Sequence, residues 1–364
     1  MVATYQPTQA DIVQNAPTTP TGFDNGAGWG KLVIGSGTQQ IRLKTLSKVL
    51  EIKEELHDVL TSREGGHFFY HRGDRQDLIG REFLTGSLAA WKAPTTHIKL
   101  SDDPVLKAEY ALHSILGALA TLPYRPEWKL YLVLSSHNKK VFQEALKIHV
   151  EGKHTISLNG RNTLTSQVSL TVSSVVPEGA GSYLYCVSSN SESLIDRTAH
   201  AIAFDFGTST VIPTVFAPVK GSIIHRQVLE VGGCIDLLEA IASDAELIDF
   251  LKTGKAGSTE TIRQGIEAKD DKQFLYGTRQ FNFHHIYARH LKTWLADRLR
   301  LAYKEVAEWR DSAQSFVAWG GGTELPGVAK MLASQGITAV PEGSWANAIG
   351  LQRMAQGLLT RGIK

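Results

Sequence analysis

Two short segments, about half the chain apart, constrain the fold more than any other feature of this 364-residue sequence. The first is Phe23-Asp24-Asn25-Gly26-Ala27-Gly28-Trp29-Gly30-Lys31 and the second is Phe204-Asp205-Phe206-Gly207-Thr208-Ser209-Thr210. Each sets an Asp two residues before a Gly, continues through a turn of mostly small residues and enters an apolar strand, Lys31 to Gly35 in one case and Val211 to Phe216 in the other. Glycine lets a backbone approach a phosphate closely, and successive N–H groups in a tight turn form a nest for an anion. An Asp at the entrance of such a turn can hold magnesium through the ion's waters. The repetition implies an internal duplication in which each half contributes one phosphate-facing hairpin.

A third glycine turn, Gly320-Gly321-Gly322-Thr323, follows the short apolar strand Ser315 to Trp319 and precedes a helical stretch from Glu324 to Ser334. Other nucleotide motifs fit less well. A Walker loop needs a Gly where Asn25 stands and a Ser or Thr where Leu32 stands. A Rossmann fingerprint wants a strand before it and a helix after it, whereas Thr21-Gly22 precedes the first turn and a strand follows.

The remaining pattern is α/β, and the length favours two domains or one large duplicated fold. Helical spacing over Ala108 to Leu122 runs into the apolar strand Leu130 to Leu134, and Lys147 to Val150, Thr155 to Leu158 and Val168 to Val172 read as hairpins. Leu46, Leu50, Ile52 and Leu56 have helical spacing, and a loop is expected around Gly65 to Asp77. Further helices are expected at Ile235 to Phe250, at Ile286 to Trp309 and at Trp345 to Leu359. Pro20 and Gly22 make a strand before Asp24 look weak.

Composition removes several function classes. With 38 Lys+Arg against 36 Asp+Glu, the formal charge of +2 gives little drive toward a polyanion, so direct nucleic-acid binding is not expected. Cys186 and Cys234 are too few for a disulfide framework and fit a reducing, cytoplasmic setting. No apolar run reaches the roughly 18 residues that span a bilayer. The first 22 residues hold no Lys or Arg and are rich in Pro, Thr and Gln, as expected of a flexible tail rather than a targeting signal. His284, His285 and His290 cluster without the spacing or carboxylate of a metal site.

These motifs carry a resemblance. Asp24 to Lys31 resembles the first phosphate loop of actin, and the turns at Gly207 and Gly320 resemble the second phosphate loop and the adenosine loop of the superfamily that joins actin, heat-shock chaperone ATPases and sugar kinases. Thr155 to Gly160, followed by Val175-Val176-Pro177-Glu178, resembles the stretch before the catalytic glutamate of ParM/StbA-like bacterial actins. The second turn departs from them, with Thr208-Ser209 where a second Gly is usual. The resemblance implies an actin-like fold of two duplicated RNase H-like domains flanking a nucleotide cleft, residues 23–180 with 341–364 as domain I and 181–340 as domain II. It implies ATP (or GTP) with Mg2+ as cofactor and slow hydrolysis coupled to self-assembly into filaments. A small DNA-binding or membrane-linked adaptor is implied as partner, for plasmid segregation or cell-shape control.

By the same resemblance Asp24 and Asp205 organise magnesium, and Glu178 orients the attacking water. Asn25, Gly26, Ala27, Gly28, Trp29, Lys31, Gly207, Thr208, Ser209 and Thr210 meet the phosphates, while Gly320, Gly321, Gly322 and Thr323 pass close to the adenosine. A small-molecule kinase of the same fold and a non-hydrolysing assembly scaffold stay open as alternatives.

Overall fold

The computed structural model describes residues 17–362 apart from 36, 38–39, 55, 57–59, 189–192, 230–231 and 279–280. Most of the expected tail, 1–16, lies outside the described residues. The chain divides into two compact units, Met1–Leu184 with Ala348–Lys364, and Tyr185–Asn347.

The strands of the first unit are β1 (Thr19–Asn25), β2 (Trp29–Ile34), β3 (Ile41–Leu46), β4 (Lys48–Ile52), β5 (His67–Gly73), β6 (Glu82–Thr85), β7 (Ile98–Lys99), β8 (Glu127–Ser136), β9 (Gly152–Leu158) and β10 (Thr165–Pro177). They form one sheet in the order β3-β2-β1-β8-β10-β9-β5-β6-β4-β7. The helices are α1 (Ser87–Lys92), α2 (Pro104–Glu109), α3 (Ala111–Leu119), α4 (Lys139–Val150) and α5 (Ala180–Val187), the last running across the unit boundary at Leu184. Strand β8 is apolar on both faces because both are covered. Leu130, Leu132 and Leu134 join the core with Phe23 and Leu32, while Tyr131 and Val133 pack on Leu351 and Ala355.

In the second unit β11 (His200–Phe206), β12 (Val211–Phe216) and β13 (Ile223–Arg226) precede α6 (Cys234–Ala242), α7 (Ala245–Leu251), α8 (Thr259–Glu267) and α9 (His284–Glu305). Then follow β14 (Ala313–Trp319), α10 (Val328–Ala333), β15 (Thr338–Ala339) and α11 (Gly343–Thr360), which enters the first unit at Ala348. The sheet order is β13-β12-β11-β14-β15. Its pairings, antiparallel from β13 to β11 and parallel from β11 through β14 to β15, repeat those of β3-β2-β1-β8-β10 in the first unit. The duplication inferred from two turns therefore extends to the topology of both sheets. The first unit differs by β9, which pairs with β10, and by an insertion between β3 and β8 whose strands extend the sheet beyond β9.

Several local expectations are corrected. The strand before Asp24 is a full central one, β1, and it begins at Thr19, inside the segment assigned to the tail. Gly22 is small there for a tertiary reason: a Cβ on it would lie 2.3 Å from the Ala348 carbonyl oxygen and 2.3 Å from the Gln352 nitrogen of α11. Leu46, Leu50 and Ile52 lie in β3 and β4 rather than in a helix, because β6 and β7 supply ladder partners for β4. The expected loop around 65–77 contains β5, which pairs with β6 and β9. Lys147 to Val150 close helix α4, whose apolar side is reduced to a few residues such as Leu146 and Val150 and is easily lost in a short window. The long helix expected at 235–250 is broken at Ser243, where the Asp244 side chain accepts the Glu246 N–H (3.1 Å) and starts α7.

Candidate functional site

In the first unit the β1–β2 hairpin closes with Asn25 opposite Gly30, leaving the four-residue loop Gly26-Ala27-Gly28-Trp29. In the second the β11–β12 hairpin closes with Phe206 opposite Val211 around Gly207-Thr208-Ser209-Thr210. The two loops have the same length, and each has its Asp one residue before the closing pair. Directly opposite Asp24 stands Lys31, whereas Ile212 stands opposite Asp205. Only the first hairpin thus carries a cation at this register.

Asp24 is buried, and both of its oxygens are engaged within the unit. Lys31 Nζ lies 3.3 Å from Oδ2, and the Ser135 hydroxyl donates to Oδ1 at 3.1 Å. The loop itself is shaped from below by Ser47, whose hydroxyl donates to the Gly26 carbonyl (2.7 Å) and whose N–H donates to that of Gly28 (3.0 Å). Trp29 belongs to β2, opposite Leu46 of β3, and carries the Lys44 ammonium 4.0 Å above its ring.

Glu178 follows β10, the parallel neighbour of β8, and its N–H donates to the Ser136 carbonyl at 3.0 Å. It therefore sits at the carboxyl end of the parallel strands, beside Ser135 and with β8 between it and the strand of Asp24, at the edge where α/β sheets hold ligands. A small cavity there is lined by Asn25, Lys107, Ser135, His137 and Glu178 among others. Two buried acceptors at the cavity, Asn25 Oδ1 and Glu178 Oε1, have no hydrogen-bond partner among the described residues. Asn25 Nδ2 donates to the Lys107 carbonyl at 2.5 Å, tying α2 to the turn. The first unit thus brings Asp24, Asn25, Lys31 and Glu178 together, and it adds Ser135 and Lys107, which sequence reasoning missed. Ser135-Ser136 at the end of an apolar strand was a usable signal; Lys107 had none.

In the second unit the β11–β12 turn is seated on the start of α6. The Cys234 N–H donates to the Gly207 carbonyl (3.0 Å), and the Ile235 N–H donates to that of Thr208 (2.9 Å). A Cβ on Gly233 would lie 2.2 Å from the Thr208 oxygen, so only Gly allows this approach. Trp294 of α9 donates through Nε1 to the carbonyls of Gly232 and Gly233, each at 3.2 Å. Arg298 lies against Gly232, which has φ 108°, and bonds Asp236 Oδ2 at 3.1 Å. The Gly232-Gly233 pair is the further feature that sequence reasoning missed, although two glycines before an apolar helical run were visible.

The Gly320 turn packs on the same hairpin. At Gly320, with φ 91°, a Cβ would lie 2.5 Å from Asp205 Oδ1 and 2.5 Å from the Phe206 oxygen. At Gly322 it would lie 2.7 Å from Phe206 Cβ and 3.0 Å from Cys234 Sγ, while at Gly321 it would meet nothing within 4 Å. The Thr323 hydroxyl donates back to the Gly320 carbonyl at 2.8 Å, closing the turn. Burial pushes the Cys234 thiol up to about 12, with Asp205 and Asp236 adding to the effect, so at neutral pH it is a thiol. The second unit thus brings together Asp205, the Gly207 turn and the Gly320 turn. His285 pairs with Glu246 (2.5 Å) and His290 with Asp244 (2.7 Å), and no cluster able to hold a metal ion is found among the described residues.

Residues 22–181 match the family described as the N-terminal domain of actin-like proteins. Among solved structures, the archaeal actin homologue Ta0583 aligns with a TM-score of 0.71 at 16% identity, over 93% of this chain and 99% of its own. A 15-stranded ParM filament from Clostridium botulinum gives 0.63 at 16%, over 94% and 100%. A Bacillus thuringiensis ParM hybrid protein with ADP gives 0.69 at 14%, over 96% of this chain and 49% of that one. None of the curated proteins matches the sequence significantly. At these identities the structural likeness shows the fold, and the fold is actin-like.

Proposed function

Starting from an actin-like fold with an actin-like N-terminal domain, we propose that this chain is an ATPase that binds ATP with magnesium and self-assembles into filaments. The repeated hairpin carries this proposal: an Asp, a four-residue loop and a parallel strand alongside, built once in each unit. The donor set fits a magnesium nucleotide. Asp24, with both oxygens already engaged, would hold a magnesium ion through the ion's waters, and Asp205 lies against Gly320, where a larger residue would displace it. Lys31 and the amides of residues 26–28 offset phosphate charge, as do those of residues 207–210. The tight packing at Gly320 and Gly322 brings a backbone edge to the same hairpin, as an adenosine loop requires.

The bound nucleotide supplies a terminal phosphoryl group whose charge the metal neutralises. Glu178 accepts a hydrogen bond from a water and orients it; its buried Oε1, which has no hydrogen-bond partner among the described residues, is suited to that role. Filament formation draws support from the fold shared with the ParM filament. A small DNA-binding or membrane-linked adaptor then couples the filament to segregation or to cell shape, since a formal charge of +2 gives the chain little attraction of its own for DNA.

The test is sedimentation with and without ATP-Mg, followed by phosphate release from the same samples. Nucleotide-dependent pelleting with release of phosphate in the absence of any hydroxyl acceptor is expected. A protein that stays in the supernatant over a wide concentration range removes the filament reading, and pelleting without phosphate release reduces the protein to a scaffold. Glu178→Ala keeps binding of a fluorescent ATP analogue and slows phosphate release about 100-fold; undiminished release removes Glu178 from its role.

A further inference from the structure

Lys107 stands outside every motif of the sequence, yet its backbone is anchored to the first unit's site. Helix α2 is started by the Asp103 side chain, which accepts the Val105 N–H at 2.8 Å. It is then tied to the phosphate turn by the 2.5 Å bond from Asn25 to the Lys107 carbonyl. From that anchored backbone the ammonium reaches to 3.7 Å from Glu178 Oε1, with the two side chains 15% and 13% exposed. The separation is an ion-pair distance and too long for a hydrogen bond. Oε1 accepts no hydrogen bond among the described residues, so its contact with Lys107 is one of charge attraction. Both side chains line the cavity beside Asn25 and Ser135, whose volume of about 10 Å³ is room for about one water.

We propose that Lys107 is a positioning residue whose ammonium fixes the direction in which the Glu178 carboxylate addresses the water it orients. This rests on the ATPase reading above, and the two fail differently. The lysine acts through Glu178, so its removal leaves nucleotide affinity nearly intact while turnover falls.

The experiment compares phosphate release at matched pelleted mass for wild type, Lys107→Gln, Lys107→Arg, Glu178→Gln and the Lys107→Gln/Glu178→Gln double variant. Melting temperatures are measured for all, with Lys107→Met in place of the glutamine variant should that one melt lower. Expected are a roughly ten- to hundredfold loss of kcat in Lys107→Gln with KM within about twofold, recovery of most of it in Lys107→Arg, and no further loss when Lys107→Gln is added to Glu178→Gln. The proposal is overturned if Lys107→Gln turns over like wild type, if it raises KM at unchanged kcat, or if its loss is multiplied onto that of Glu178→Gln. Wild-type protein that releases no phosphate overturns the ATPase reading itself.

Discussion

Gly320 and Gly321 are neighbours in one turn, and replacing each by Ala gives results of very different size. Gly320 has φ 91° and ψ 169°, a region almost exclusive to glycine that costs an L-residue about 1–3 kcal/mol. Its new methyl would also lie 2.5 Å from both Asp205 Oδ1 and the Phe206 carbonyl oxygen, about 1 Å inside ordinary contact. One of these obstacles is backbone, so rotation of a side chain cannot relieve both, and overpacking of this kind costs roughly 1–3 kcal/mol. Against this stands about 0.4–1 kcal/mol gained from a less flexible unfolded chain. The balance is a loss of about 2–4 kcal/mol for Gly320→Ala. Gly321 has open space around its Cβ direction, so Gly321→Ala retains only the small gain or loses a few tenths. For a unit of this size the difference corresponds to melting temperatures roughly 5–15 °C apart. Thermal melts followed by circular dichroism measure it, and titration with a fluorescent ATP analogue should show weakened magnesium-nucleotide binding only for Gly320→Ala, through Asp205. If the two variants melt within a degree or two of each other, the account of this turn is wrong.

Gly22→Ala places a methyl 2.3 Å from two backbone atoms of α11, so β1 and that helix must part; a loss of about 2–4 kcal/mol is expected in urea unfolding, and a wild-type midpoint refutes it. His113 is buried against Phe68, Phe83 and Tyr110, and neither ring nitrogen has a hydrogen-bond partner among the described residues. Burial first, and then Arg75 and Arg81, push its pKa down from 6.5 to about 3. Between those values the unfolded chain binds the extra proton, so this part of the stability is whole above about pH 6.5 and is lost as pH falls, by up to about 1.4 kcal/mol per pH unit. His113→Phe keeps the ring and removes the proton, so its stability should fall less steeply from pH 6 to pH 4, and an unchanged slope refutes the assignment.

How much could be read in advance differed from element to element. The Asp-x-Gly hairpins were visible because glycine and short apolar runs act over a few residues. Strand β1 was obscured because Pro20 and Gly22 argue locally against a strand, while the reason for Gly22 lies in α11, some 325 residues further on. Strand β4 has apolar residues at helical spacing and became a strand only because β6 and β7 supply ladder partners. In the site, Glu178 was reachable through the motif before it, and Ser135 through the end of its strand. Lys107 was not, because its meaning depends on a carboxylate 71 positions away that meets it only in three dimensions.

By itself, then, the sequence determined the α/β class, the duplication and the two Asp-x-Gly hairpin turns, since each depends on backbone freedom and short-range polarity. The tertiary structure decided which glycines are obligatory, which strands complete each sheet, and which cation faces Glu178. Those depend on close approach between segments remote in the chain, and no local pattern encodes the distance between them.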